Sequence, residues 1–211
     1  MLSVIKKYKI QKIKINLFFI YTSLILLFIA FNVQSSEKLK DVAFGDENSN
    51  VIIKVFSSLT CPHCANFHKK VFNKLKKDFI GENTVRFEHH SFPLDLAALN
   101  AEKILRCIND SQKRLGFLDE IYEKQDVWAV GNDINSINLK LKKIAKKYDL
   151  NDDKIKTCLE NENLEDQILE SRINGSKKYS IQSTPTILIN DKIYDGKHNY
   201  EDLKKEIKKN L

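Results

Sequence analysis

The chain is poor in residues that interrupt regular structure, with three prolines and six glycines among 211 residues. No long low-complexity segment appears, which argues against disorder away from the ends. Cysteine is scarce too: there are four, and only one pair has the CxxC spacing. A zinc site would want a second such pair or matching histidines. Charge of one sign is lacking once the N-terminus is set aside. Lys6, Lys7, Lys9, Lys12 and Lys14 precede any acidic residue, and without residues 1–35 the formal charge falls from +7 to +2. That is not the basic footprint of a nucleic-acid-binding surface.

What is present begins with an address. The five lysines are followed by LFFIYTSLILLFIAF, residues 17–31, with no charge. A basic head and an apolar stretch read as an export signal, with Val33 and Ser35 as small residues for cleavage, or as a retained membrane anchor. Either reading puts the remainder outside the cytoplasm, on the trans side of an inner membrane, where disulfides persist. The remaining length suits one domain carrying an insertion, long enough to bury a core without staples.

VIIKVFSS, residues 51–58, is a β-branched and aromatic run that predicts a strand covered on both faces. Phe67, Val71, Phe72, Leu75 and Phe79 then recur at helical spacing, predicting a helix over about 62–79 that ends before Gly81. TVRFEHHSF, residues 84–92, reads as a second strand. From 96 to 173 the apolar stripes are helical: Ala97 to Ile108, Leu115 to Tyr122, Ile137 to Tyr148, Ile155 to Leu159, and Leu164 to near Gly175. TILIN, residues 186–190, restores strand character; a return strand starts at Ile193–Tyr194, and a lysine-rich helix closes the chain over about 200–210. The order predicts an α/β domain interrupted by helices, since neither flank alone makes a complete sheet.

Residues 61–64 read CPHC and sit at the strand-to-helix junction. Pro62 suits a first helical turn. Unpaired N–H groups and the helix dipole at that place stabilise a thiolate on Cys61, and His63 offers a further partner. A thiol of low pKa is a good leaving group in a mixed disulfide, which favours oxidation of substrates. Cys64, one turn along and further inward, is expected to resolve. A metal site and a purely structural disulfide are the competing readings of the spacing. His68, His89 and His90 are read as surface or packing residues. Pro185 precedes a central-strand candidate, where an ordinary proline is awkward. A cis Thr184–Pro185 bond would leave the Thr184 backbone free beside the cysteine loop for an extended substrate; a trans turn is the alternative.

CPHCANFH and STPTILIN, about 120 residues apart with helices between them, resemble the DsbA family of bacterial thiol:disulfide oxidoreductases. The resemblance covers roughly residues 40–210 and implies a thioredoxin-like fold with an inserted helical domain. Its parts would be 1–35 as signal or anchor, 36–94 and 176–211 as the thioredoxin-like domain, and 95–175 as the helical insertion. It implies Cys61 as the nucleophile, Cys64 as the buried cysteine, Pro62–His63 as the tuning dipeptide and Thr184–Pro185 as a cis-proline loop. It further implies a monomer in the periplasm that oxidises reduced exported proteins, needs no metal or organic cofactor, and is reoxidised by a DsbB-like membrane quinone reductase. A disulfide isomerase or reductase is the alternative, and a non-catalytic chaperone or binding module is a more distant one.

Two positions depart from the family pattern. Many relatives carry a buried Glu six residues before the first cysteine, where this chain has Val55. Thr184 stands where the best-known oxidases have Val, and threonine there also occurs in isomerase-type relatives. Cys107 and Cys158 fall on apolar stripes of the helical block, 51 residues apart. They are either a structural disulfide, which an oxidising compartment favours and some alphaproteobacterial members resemble, or two unpaired buried thiols.

Overall fold

In the computed structural model, which describes Leu39 and residues 42–211, the run VIIKVFS becomes the middle strand of a five-stranded sheet. The signal or anchor expected over 1–35 lies outside the described residues. Among those that are described, no helix is long and apolar enough to cross a membrane. In chain order the first elements are β1 (Val42–Phe44), β2 (Val51–Ser57), α1 (residues 62–80) and β3 (Val85–Ser91). Within α1, Pro62–Phe67 and Asn73–Leu75 are α-helical, while His68–Phe72 and Lys76–Ile80 are π-helical turns. The helices α2 (Leu96–Cys107), α3 (Ser111–Glu123), α4 (Gln125–Trp128), α5 (Ile134–Ala145), α6 (Asp152–Leu159) and α7 (Glu162–Tyr179) follow. The chain then returns through β4 (Thr186–Ile189) and β5 (Lys192–Ile193) to α8 (Tyr200–Asn210).

The strand order is β1-β3-β2-β4-β5. β2 and β3 are parallel, as a crossover through a helix requires, with Val55 opposite His89 and Ser57 opposite Ser91. β4 pairs antiparallel with the other side of β2, Val55 facing Ile187. Segments from both ends of the chain therefore complete one sheet, and the helices from α2 to α7 lie between them in sequence. Strand alternation sends Val51, Ile53 and Val55 to one face, where they join Phe67, Phe72 and Leu75 of α1 in the main core. That core continues into Ile104, Phe117, Leu118 and Trp128 of the helical block. Phe56 and Leu188 occupy the opposite face with Phe92 and Ile181. Trp128 is fully buried, and its indole N–H donates to Ile121 O at 2.8 Å.

Three boundaries differ from the sequence reading. β1 adds an edge strand that was not expected; three residues are too few to show a period of two. The return strand is Lys192–Ile193, one residue earlier than expected. α7 does not end near Gly175 but runs on to Tyr179, and Ser180 in the left-handed region (φ 52°) terminates it. Gly175 is there for close packing: a Cβ at that position would stand 2.4 Å from Cε1 of Phe56. A glycine that admits an aromatic ring looks, in sequence, like one that stops a helix.

Candidate active site

The junction between β2 and α1 is built by local hydrogen bonds. Cys61 is the N-cap of α1, in extended conformation, with Pro62 in the first turn. Its N–H donates to Ser58 O at 3.1 Å, and its carbonyl accepts from Ala65 N at 3.1 Å. The side chain makes no cap bond, which leaves the sulfur at the positive end of the helix. Cys64, the third residue of the helix, turns inward and is buried.

The helical block clamps this loop. Asp95 caps α2 by accepting from Ala98 N at 2.7 Å, and its other oxygen accepts from Thr60 Oγ1 at 2.8 Å. Gln125 Nε2 donates to both Leu59 O (2.8 Å) and Cys61 O (3.1 Å). The fourth side of the site comes from the far end of the chain. Thr184–Pro185 is a cis peptide bond, and Thr184 O accepts from Cys61 Sγ at 3.4 Å. The Thr184 hydroxyl is buried beside the two sulfurs.

The two thiols have different environments. Burial pushes the Cys61 thiol up, but the Thr184 hydroxyl, the Cys64 N–H and thiol, and the His63 N–H outweigh it and hold the thiol below its ordinary value. Cys64 goes the other way, pushed up to about 12 by burial and then by the neighbouring charge of Cys61. The group through which His63 reaches the Cys61 sulfur is its backbone N–H. His63 also lines a groove of about 340 Å³ with Asn66, Phe67, Ser183, Thr184, Pro185 and His198. The groove runs from His63, between the two cysteines in sequence, to the cis-proline turn. Both cysteines are present as free thiols.

All six residues singled out between Cys61 and Pro185 therefore meet at one place. Cys107 and Cys158 do not; they form a disulfide between α2 and α6. Two of the discounted histidines are not at the surface. His68 pairs with Asp119 at 2.7 Å and His89 with Glu102 at 2.7 Å, both rings buried. Each faces a carboxylate brought in from the helical block, which the sequence around a histidine does not reveal. His90 stacks on Phe56 at 4.8 Å between ring centroids. Lys54, on the face opposite Val55, pairs with Asp191 at 2.7 Å. Among the described residues no three His, Cys, Asp or Glu side chains stand together as metal ligands. Sequence reading missed Asp95, Gln125 and His198. Asp95 had a signal, an acidic cap two residues after Pro93 and just before an apolar helical stripe; the other two had none.

Comparison with known proteins agrees with this geometry. A family profile described as thioredoxin matches residues 37–209. A Rickettsia typhi protein provisionally named a protein-disulfide oxidoreductase is 28% identical over 150 residues, 71% of this chain and 54% of its own. Disulfide bond formation protein D of Bacillus subtilis is 28% identical over 176 residues, 79% of this chain and 75% of its own. The crystal structure of Wolbachia pipientis alpha-DsbA1 superposes with a TM-score of 0.72 at 26% identity, covering 81% of this chain and 90% of that one. Against the first Rickettsia relatives the chain spans only 54% to 61% of their length.

Proposed function

The chain belongs to the thioredoxin family, and we propose that within it this protein is a thiol:disulfide oxidoreductase that introduces disulfides into exported proteins. One observation carries the reading: Cys61 and Cys64 share a site but are driven apart, one toward thiolate and the other toward thiol. In the oxidised protein a substrate thiolate attacks Cys61 Sγ. The Cys61–Cys64 bond breaks, its electron pair goes to Cys64, and a mixed disulfide forms through Cys61. The substrate's second thiolate then attacks its own sulfur in that bond and expels Cys61 as a thiolate. The better Cys61 is as a leaving group, the further the exchange runs toward oxidised substrate. Pro62 sets the first turn of α1, the His63 N–H holds the sulfur, and Thr184–Pro185 presents the carbonyl beside it. The groove between His63 and His198 is the place for an extended substrate.

The same proposal places the protein in the periplasm as a monomer, exported by residues 1–35, with 36–94 and 176–211 as one domain and 95–175 as its insertion. Reduced exported proteins or peptides are its substrates and a DsbB-like quinone reductase its oxidant. Isomerase activity is the second reading, favoured by the Thr184 hydroxyl at the dithiol. The equilibrium potential of Cys61–Cys64 against glutathione, with Cys107 and Cys158 tracked by mass, separates these. A potential near about −120 mV supports an oxidase, about −180 mV an isomerase, and about −270 mV refutes both in favour of a reductase.

A further inference from the structure

The groove between His63 and the cis-proline turn has a charge make-up that the exchange scheme does not use. Among the described residues, no Asp, Glu, Lys or Arg lines it, and its titratable lining residues are His63 and His198. The other three histidines each pair with a carboxylate: His68 with Asp119, His89 with Glu102 and His90 with Glu88. The imidazoles of His63 and His198 have no hydrogen-bond or ion-pair partner among the described residues. His198 is nonetheless held in place. It is the central residue of a tight turn between β5 and α8, closed by Asn199 N–H donating to Lys197 O at 2.7 Å. The Tyr194 hydroxyl donates to the same carbonyl at 3.2 Å, and Asn199 caps α8 by accepting from Asp202 N at 2.9 Å. The His198 ring meets Phe67 of α1 edge-on with centroids 6.5 Å apart, and lies parallel to the Tyr194 ring at 6.4 Å. Phe67 and His198 thus form one wall of the groove, and Thr184, whose carbonyl meets Cys61 Sγ at 3.4 Å, belongs to the other.

We propose that His198 is a specificity-determining residue, selecting reduced peptides that carry a carboxylate beside the reacting cysteine over those that carry an ammonium. This rests on the exchange reaction proposed above and names its substrate class. A carboxylate entering the groove meets an imidazole free to donate to it, with Asn66 and Ser183 as further donors. It meets no acidic side chain that would repel it. An ammonium finds no carboxylate there to replace the water it loses. Phe67 and Pro185 give the methylene stem of a glutamate an apolar surface. The bonds that break and form are those of the exchange itself; His198 changes only which peptide is held beside Cys61.

The selection should depend on pH. Burial holds the His198 imidazole below its ordinary value, and no neighbouring charge opposes that. The titratable groups on the elements packed against it are His63 and the two cysteines on α1, Tyr194 on its own turn, and Asp202 and Glu206 of α8, whose charge acts on Tyr194. Asp195 and Lys197 flank it in the same loop. His198 is therefore neutral above its lowered value and cationic below it. A bound carboxylate favours the cation and an ammonium opposes it. Preference for acidic peptides is greatest at low pH and fades as pH rises.

The test uses three dithiol peptides that differ only in carrying Glu, Gln or Lys on both sides of each cysteine. Their oxidation by the oxidised full-length chain is followed by mass between about pH 5 and pH 8, across the range in which an imidazole titrates, for the wild type, His198→Gln and His198→Lys. His198 is exposed, so neither substitution opens the core. Each rate ratio is divided by the same ratio for His198→Gln, which cancels the thiol chemistry of the peptides themselves. We expect the wild type at the low end of that range to favour the Glu peptide over the Lys peptide by about two- to fivefold more than His198→Gln does. The Gln peptide should fall between them. The excess should vanish at the high end, and His198→Lys should keep it throughout. A Glu-over-Lys ratio that is the same in the wild type and His198→Gln at every pH would overturn the inference and leave disulfide exchange standing. So would equal rates for the Glu and Gln peptides in the wild type at low pH. Failure to oxidise any of the three peptides would overturn both.

Discussion

The molecule holds two cysteine pairs, and their helices treat them oppositely. Cys61 caps the N-terminus of α1, where the dipole favours a thiolate. Cys107 is the last residue of α2, and Cys158 lies in the last turn of α6. At a helix C-terminus the dipole opposes negative charge, so both are poor leaving groups in exchange. The first pair is also three residues apart and closes almost no chain. The second closes 51 residues and ties the two helices it joins, with Cα atoms 6.3 Å apart. Identical side chains are thus set to exchange in one place and to hold in the other, by helix end and loop length.

The largest effect should come from breaking the first pair. Cys61→Ser is expected to abolish oxidation of a dithiol peptide, read by mass of the product. In the reduced wild type, the shifts predict that iodoacetamide labels Cys61 below the ordinary thiol pKa, because its lowered value keeps a thiolate fraction there. Cys64 should become reactive only toward about pH 12, because its thiolate is lost as pH falls below its raised value. Labelling of both at the same pH would erase the asymmetry on which the comparison stands.

Breaking the second pair should change stability and spare chemistry. The double variant Cys107→Ser with Cys158→Ser is expected to lose about 2–4 kcal/mol, a fall in Tm of about 5–15 °C. The glutathione equilibrium of Cys61–Cys64 should barely move. A large shift in that equilibrium would show that the helical disulfide is part of the redox site.

Gln125 sharpens the comparison, since it is one of the two side chains, with Asp95, that tie the helical block to the cysteine loop. Gln125→Ala should destabilise by about 1 kcal/mol, seen in thermal unfolding, and shift the Cys61–Cys64 equilibrium less than any change of cysteine. An unchanged Tm would mean that the loop holds its shape without help from the helices.

Periodicity and turn chemistry determined much of this protein before any coordinates. β2, β3, α1 and β4 follow from runs of apolar residues whose spacing is a local property of the chain. CPHC at a strand-to-helix junction likewise points to redox chemistry from adjacent residues alone. The tertiary structure decided what depends on distant segments. β1 is too short to have a period and exists because β3 offers it an edge. Gly175 prolongs a helix because a ring from β2 needs its space. Gln125 and His198 reach the site from segments with no motif of their own. The histidines at 68 and 89 became buried partners because Asp119 and Glu102 arrive from helices elsewhere in the chain. A buried ion pair is a relation between two places in space, and a single stretch of sequence carries only one of them.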